Sequence, residues 1–302
     1  MTRKKIGTSA AVALCCAVAG LGLVGCEDSK ANSDAEPSAD SSAPESGEDL
    51  LTGTRQITVG DHTVNVSCSG TQAGNRPVVV LLHGGGDDLT TMAALQETLS
   101  ENGRVCSYDR LGAGASDQPE GLQDLEDIGE TLTGVLDQVA GDQPVVLAGH
   151  SMGGLIAARY APDHQDRVRG LVLMDATSPS AVADLTVRIP ESVTGPAGEL
   201  RAQTLAVYQG ENPERLVFND GEVRSAGDIP VQVVQHGQQY LAEVPEYGPG
   251  LEEDWTKGQQ EWLAVSGNSE LSTAENSGHY IYVDRPDLAV QAIERVAEEA
   301  AG

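Results

Sequence analysis

The chain has 302 residues, with 46 acidic against 18 basic side chains and a formal net charge of −28 at pH 7. This balance offers no basic surface to neutralise phosphates, which argues against nucleic-acid binding, and it keeps the folded body off anionic lipid surfaces. The charge points to no particular chemistry; it describes an acidic, well-solvated exterior.

Arg3, Lys4 and Lys5 precede an uncharged, mostly apolar run from Ile6 to Val24, the positive and hydrophobic parts of a secretory signal. The run ends in LVGC (23–26) and gives way abruptly to EDSKANSDAEPSADSSAPESGED. That junction resembles a bacterial lipoprotein signal. The resemblance implies a signal over 1–25, lipidation of Cys26 on its sulfur, and an exported chain held at the outer face of the bacterial membrane. Ordinary cleavage and secretion is the alternative. Residues 27–49 are rich in Ser, Ala, Asp, Glu and Pro and hold no aromatic side chain, so they cannot bury enough apolar surface to order themselves. A disordered tether is expected over 26–52, followed by one folded α/β domain over 53–302. Within that domain only Cys68 and Cys106 remain. An oxidising compartment allows them to pair, although spacing alone does not prove it.

From Arg55 the hydrophobic pattern alternates between strand and helix. RQITV (55–59) and HTVNVSC (62–68) alternate with period two and are joined by GD, a hairpin. PVVVLL (77–82), RVCSY (104–108), PVVLAG (144–149) and RGLVLMD (169–175) read as buried strands. Helical patterns separate them over 89–101, 122–140 and from about Met152 to Ala161. A hairpin followed by β-α-β-α-β-α-β predicts a mostly parallel sheet with helices on both faces. After Asp175 the pattern weakens, with only ELRAQTLAVYQG (199–210) firmly helical, and a small cap is expected over about 176–228. Order returns with a strand over 229–237, a helix over 254–265, a short strand over 269–274 and a last helix from Pro286 to Ala300.

Three segments carry chemistry. GHSMG (149–153) matches G-x-S-x-G between a strand and a helix, the context in which such a serine sits exposed on a sharp turn. Ser151 is therefore the candidate nucleophile. LLHGGGDD (81–88) follows a buried strand, and its glycines can bring backbone N–H groups close to a substrate. The expected oxyanion donors are the N–H of Met152 and that of Gly85, with Gly86 the alternative for the second role. His279, in NSGHYIYVDRPD (276–287), follows the last strand and precedes the last helix, where a general base would complete the set. His62, His83 and His150 sit in the hairpin, in the glycine loop and beside the serine; His164 and His236 lack an evident partner.

Together with YDRLGAGASD (108–117) and SGHYIYVDRPD, these segments make the chain resemble serine hydrolases of the α/β-hydrolase superfamily, in the short-lid, esterase-like branch. The likeness covers 53–302. It implies an eight-stranded, mostly parallel sheet with a cap after the sixth strand. It also implies neighbouring second and fourth strands, so that Cys68 and Cys106 form a disulfide. The acid of a triad would come from Asp175 at the end of the sixth strand; Glu243, the first carboxylate after the seventh, is the alternative, with Glu246 next. The implied activity is hydrolysis of a small or medium uncharged carboxylic ester through an acyl-enzyme. A peptidase or lactonase would use the same groups, and a surface-tethered small-ligand receptor on the same fold is the rival from another class. Aspartate-dependent epoxide or halide chemistry is disfavoured by Ser151. No metal-ligand spacing occurs and the serine mechanism needs no cofactor.

Overall fold

The computed structural model describes residues 51–302; the expected signal, Cys26 and nearly all of the expected tether lie outside the described residues. Strands β1 (Gly53–Val59), β2 (His62–Ser69), β3 (Val78–Leu82), β4 (Val105–Tyr108), β5 (Val145–His150), β6 (Val168–Met174), β7 (Pro230–His236) and β8 (Asn268–Ala274) form one sheet in the order β1-β2-β4-β3-β5-β6-β7-β8. The β1–β2 and β2–β4 pairs are antiparallel and the rest are parallel. Strands β3 and β5 are buried along their whole length, which is why they read as continuous apolar runs rather than alternating ones. The register sets Cys68 directly opposite Cys106, and the two form a disulfide with Cα atoms 4.1 Å apart.

Helices α1 (Ala93–Leu99), α2 (Leu125–Ala140), α3 (Met152–Tyr160), α4 (Ala181–Arg188), α5 (Pro196–Tyr208), α6 (Gly248–Glu261), α7 (Ile281–Asp284) and α8 (Pro286–Ala301) complete the domain. One apolar layer joins the sheet to Ile128, Leu132 and Val135 of α2 and Leu155 and Ile156 of α3. A second, on the opposite face, joins it to Leu95 and Leu99 of α1 and Ala289, Ile293 and Val296 of α8. A smaller cluster joins Leu185, Ile189 and Ala197 of the cap to Leu241, Val244 and Leu251 in the segment after β7.

Two boundaries and one helix differ from the sequence pattern for identifiable reasons. Helix α2 starts at Leu125, because Asp124 accepts from the N–H groups of Glu126 and Asp127 in a capping box, and this leaves Leu122 outside it and 64% exposed. The helix expected over 254–265 begins earlier, at Gly248, with Pro249 in its first turn, and tightens to a 3₁₀ turn at Trp262–Val265. The cap holds α4, which the pattern did not reveal. It is eight residues long, lies between Pro179 and Pro190, and buries only Leu185.

Candidate active site

Ser151 lies at the junction of β5 and α3 with φ 51 and ψ −119, a left-handed conformation that a residue with a Cβ adopts only under constraint. The constraint is visible. The Ser151 N–H donates to Met174 O at 3.0 Å, and its carbonyl accepts from the N–H groups of Gly154, Leu155 and Thr177 at 3.0–3.2 Å. The flanking glycines are required by space: a Cβ at Gly149 would lie 2.3 Å from Gly153 O, and one at Gly153 would lie 2.2 Å from Leu82 O. The serine is thus presented at the N-terminus of α3, where the helix dipole and the first N–H groups favour negative charge.

The glycine loop approaches from β3. Gly85 packs on Met152, so that a Cβ there would meet Met152 Cε at 2.9 Å. The N–H groups of Met152 and Gly85 have no hydrogen-bond partner among the described residues, whereas that of Gly86 already donates to Glu214 Oε1 at 3.3 Å. Of the two alternatives, Gly85 is the one free to serve a ligand. The loop is held by Arg110, whose guanidinium donates to the carbonyls of His83 and Gly84 at 2.7 and 2.8 Å and pairs with Glu214 at 2.5 Å. Both members of this pair are buried, and Glu214 belongs to the cap. His83 donates from Nδ1 to Gly84 O, and burial first, then Arg110, keeps its ring neutral.

His279 sits in the loop between β8 and α7, with its ring 15% exposed. Its Nδ1–H donates to Asp175 Oδ2 at 2.7 Å, and its backbone carbonyl accepts from His150 Nε2 at 3.0 Å. His150 is fully buried; desolvation and then the neighbouring His279 lower it to about 3, so it stays neutral and acts as a strut. Asp175, just beyond β6 with φ 46, is the carboxylate against His279. Glu243 is exposed on a 3₁₀ turn at Leu241–Glu243, and Glu246 is exposed as well.

The expectation that His236 lacks a partner is corrected. At the end of β7, its Nδ1 lies 2.9 Å from both Asp175 oxygens and its Nε2 lies 2.9 Å from Glu252 Oε2 on α6. Asp175 Oδ1 also accepts from the His236 N–H at 3.1 Å and the Trp255 indole at 2.8 Å. Burial alone would raise the Asp175 carboxyl, but the hydrogen bonds from His236 and His279 hold it well below the usual range. His236 moves the other way: burial opposes its charge, Asp175 and Glu252 outweigh burial, and the ring is raised to about 9. His164, by contrast, is stacked on Tyr160 with ring centroids 3.7 Å apart.

The architecture matches solved proteins over most of its length. An esterase from Thermogutta terrifontis superposes with a TM-score of 0.59, at 19% identity, over 83% of this chain and 100% of that one. An enol-lactonase from Burkholderia xenovorans gives 0.57 at 20% identity over 81% and 100%. The protein has the α/β-hydrolase fold. The family model described as the alpha/beta hydrolase fold matches residues 77–194. In sequence the domain is 31% identical over 123 residues to epoxide hydrolase 3 of Xenopus tropicalis, and 36% identical over 108 residues to proline iminopeptidase of Saccharolobus solfataricus. These matches take in 39% and 35% of this chain and only about a third, 32% and 35%, of each relative.

In this hydrolase fold the cap and sheet enclose a cavity of about 790 Å³ lined by Gly85, Ser151, Met152 and His279 at one end. Leu185, Leu200, Val207, Leu251 and Trp255 supply its apolar wall. The Ser151–His279 hydrogen bond itself is not formed, and neither the Ser151 hydroxyl nor His279 Nε2 has another partner among the described residues. Such contacts often tighten only when a ligand binds. A serine at a helix N-terminus, two unspent N–H donors and an imidazole with its Nδ1 proton fixed by a buried carboxylate suit nucleophilic attack on a carbonyl.

Proposed function

We propose that this protein is a serine hydrolase that cleaves carboxylic esters through an acyl-enzyme. The observation that carries the reading is one cavity shared by the constrained Ser151, the Asp175-bound His279 and the free N–H groups of Met152 and Gly85. Ser151 Oγ attacks the ester carbonyl carbon as its proton passes to His279 Nε2. The carbonyl oxygen, now an oxyanion, accepts from the Met152 and Gly85 N–H groups. Collapse of the adduct breaks the bond to the alkoxy oxygen, which takes the proton from His279 and departs as the alcohol. Water then repeats the sequence on the acyl-enzyme and releases the acid and free Ser151. Asp175 remains ionised throughout and orients the ring.

The apolar wall favours an uncharged acyl group of small or medium size. Of the acidic residues that also line the cavity, Asp184, Glu214 and Asp254 are paired with Lys257, Arg110 and Arg188, and Arg215 stands beside Glu211 in the lining, so no strong net charge faces the acyl group. We further propose export and anchoring through Cys26, on the strength of the N-terminal pattern; incorporation of labelled fatty acid into wild type but not Cys26→Ala tests it.

The test of the activity compares wild type and Ser151→Ala for hydrolysis of p-nitrophenyl acetate and butyrate and for labelling by a fluorophosphonate. Turnover and labelling that both vanish in the variant support the reading. A folded wild type that does neither overturns it, and one that is acylated once without sustained turnover points to a ligand receptor instead.

A further inference from the structure

The proposed mechanism uses His279 and Asp175 but has no role for the two buried groups behind them. His236 and Glu252 are 7% and 5% exposed, and a charge is not kept in such a place without a reason. Hydrogen-bond valence defines their states. Asp175 faces donors only: the His236 backbone and ring, the Trp255 indole and His279. Glu252 Oε1 accepts from the N–H groups of Leu241 and Ala242 at 2.6 and 3.2 Å, and Oε2 faces the His236 ring. A carboxylate lies against each nitrogen of His236, so both nitrogens carry protons and the ring is an imidazolium. The row runs Glu252, His236, Asp175, His279, with the His236 ring between the two carboxylates and His279 on the far side of Asp175.

We infer that His236 is a positioning residue: held as an imidazolium between Asp175 and Glu252, it fixes the Asp175 carboxylate and, through it, sets the proton affinity of His279. This inference rests on the proposed role of His279 as general base. The geometry gives the sign. His236 contacts the carboxylate that His279 must lean on, and its positive charge offsets part of that carboxylate's pull on a proton at His279. Glu252 lies one ring further away and only partly restores that pull. The pair therefore keeps His279 less basic than Asp175 alone would make it, which favours return of the proton to the leaving group.

The other groups facing these rings are few. Tyr240 and Trp255 lie 4.8 and 6.2 Å from the His236 ring. Around His279 are His150 at 4.5 Å, Trp255 and Tyr280 at 5.6 Å, and Tyr240 at 5.9 Å, with the Asp87 carboxylate acting from further off. None of these offers a second buried cation to Asp175.

The test follows charge rather than shape. In the full chain, His236→Asn removes the positive charge and leaves Asp175 and Glu252 both negative. The acid limb of the kcat/KM profile should move up by about 1 to 2 pH units, the size expected for a charge lost just beyond the shared Asp175 carboxylate in a medium of effective dielectric near 20. Glu252→Gln should move it down. The double variant removes one charge of each sign and should return the limb to within about half a unit of wild type, which a merely structural role would not do. Selective ¹³C labelling of histidine Cε1, with His279→Gln to assign the resonance, reads the same His279 titration without turnover. Failure of the hydrolase reading, seen with Ser151→Ala, is thereby kept separate from failure of this one. If His236→Asn does not fold, the Glu252→Gln and double-variant titrations decide. Variants that lose kcat while the His279 titration stays where it is in wild type overturn the inference.

Discussion

Replacing Asp175 by Asn changes one oxygen to an N–H₂ group and nothing in size, and the structure says where the damage falls. Oδ1 accepts three N–H groups and Oδ2 accepts two, one of them the Nδ1–H of His279 at 2.7 Å. An asparagine has one acceptor, which the three-donor position claims. Its N–H₂ group then faces His279 Nδ1, so that nitrogen must become an acceptor and the ring proton moves to Nε2. A protonated Nε2 cannot take the Ser151 proton. The expected loss in kcat/KM is about 10³–10⁴-fold, or about 4–5.5 kcal/mol of barrier. The variant should also lose about 3–5 kcal/mol of stability, since the His236 imidazolium keeps only Glu252 as a buried counter-charge. The assay is p-nitrophenyl butyrate hydrolysis at a temperature where near-ultraviolet circular dichroism shows the variant folded. Glu243→Gln, on the exposed turn, serves as the companion and should stay within twofold of wild type. An Asp175→Asn protein within tenfold of wild type, beside a Glu243→Gln protein down a hundredfold, would refute the assignment.

Arg110→Met leaves the Glu214 carboxylate buried and unpaired beside Gly86, so urea denaturation should show a loss of about 3–5 kcal/mol, and kcat should fall as the glycine loop loosens. Cys68→Ser with Cys106→Ser opens a loop of 38 residues and should cost about 3–4 kcal/mol in the same assay. Stability should also depend on pH in two directions. His236, raised to about 9, contributes stability that is present below pH 6.5 and lost as pH rises through 9; His150, lowered to about 3, contributes stability that is present above 6.5 and lost as pH falls towards 3. Thermal melts across pH 4–10 should therefore peak near neutrality, and His236→Asn should flatten the alkaline side alone.

Much of this was legible in the chain because burial and motif coincide. Strands β3, β5 and β6 are buried over nearly their whole length, so each appears as an apolar run bounded by loop residues, and the intervening helices mark them as parallel. The glycines around Ser151 answer to backbone oxygens 2.2–2.3 Å from a virtual Cβ, a demand strong enough to leave a mark in five letters. The cap left no such mark, since α4 buries a single side chain and needs no periodic stripe. His236 was missed because its partners are remote: Asp175 is 61 residues away, and Glu252 projects from a helix whose start the sequence did not disclose. The available sign was its position, a histidine ending a buried strand where an acid is otherwise expected.

The two strained residues of the site support each other. Ser151 and Asp175 follow neighbouring parallel strands, β5 and β6, and each has φ near 50. Isolated turns of this kind would each relax at a gain of about 1–3 kcal/mol. Here Ser151 N–H is held by Met174 O, the residue before Asp175, and Thr177 N–H, two residues after it, is held by Ser151 O. The Asp175 N–H is held in turn by Val234 O of β7 at 2.7 Å. Relaxing either turn would break bonds that the other needs, and the sheet beneath is buried and cannot shift to follow. Ser151 and Asp175 are thus set by one continuous strip of backbone across β5, β6 and β7, and His236, the last residue of β7, lies two residues beyond Val234 on that strip. A side chain reaching Asp175 from there starts from the same strip, which is the physical reason a charge at position 236 can act on His279 through the carboxylate that both rings contact.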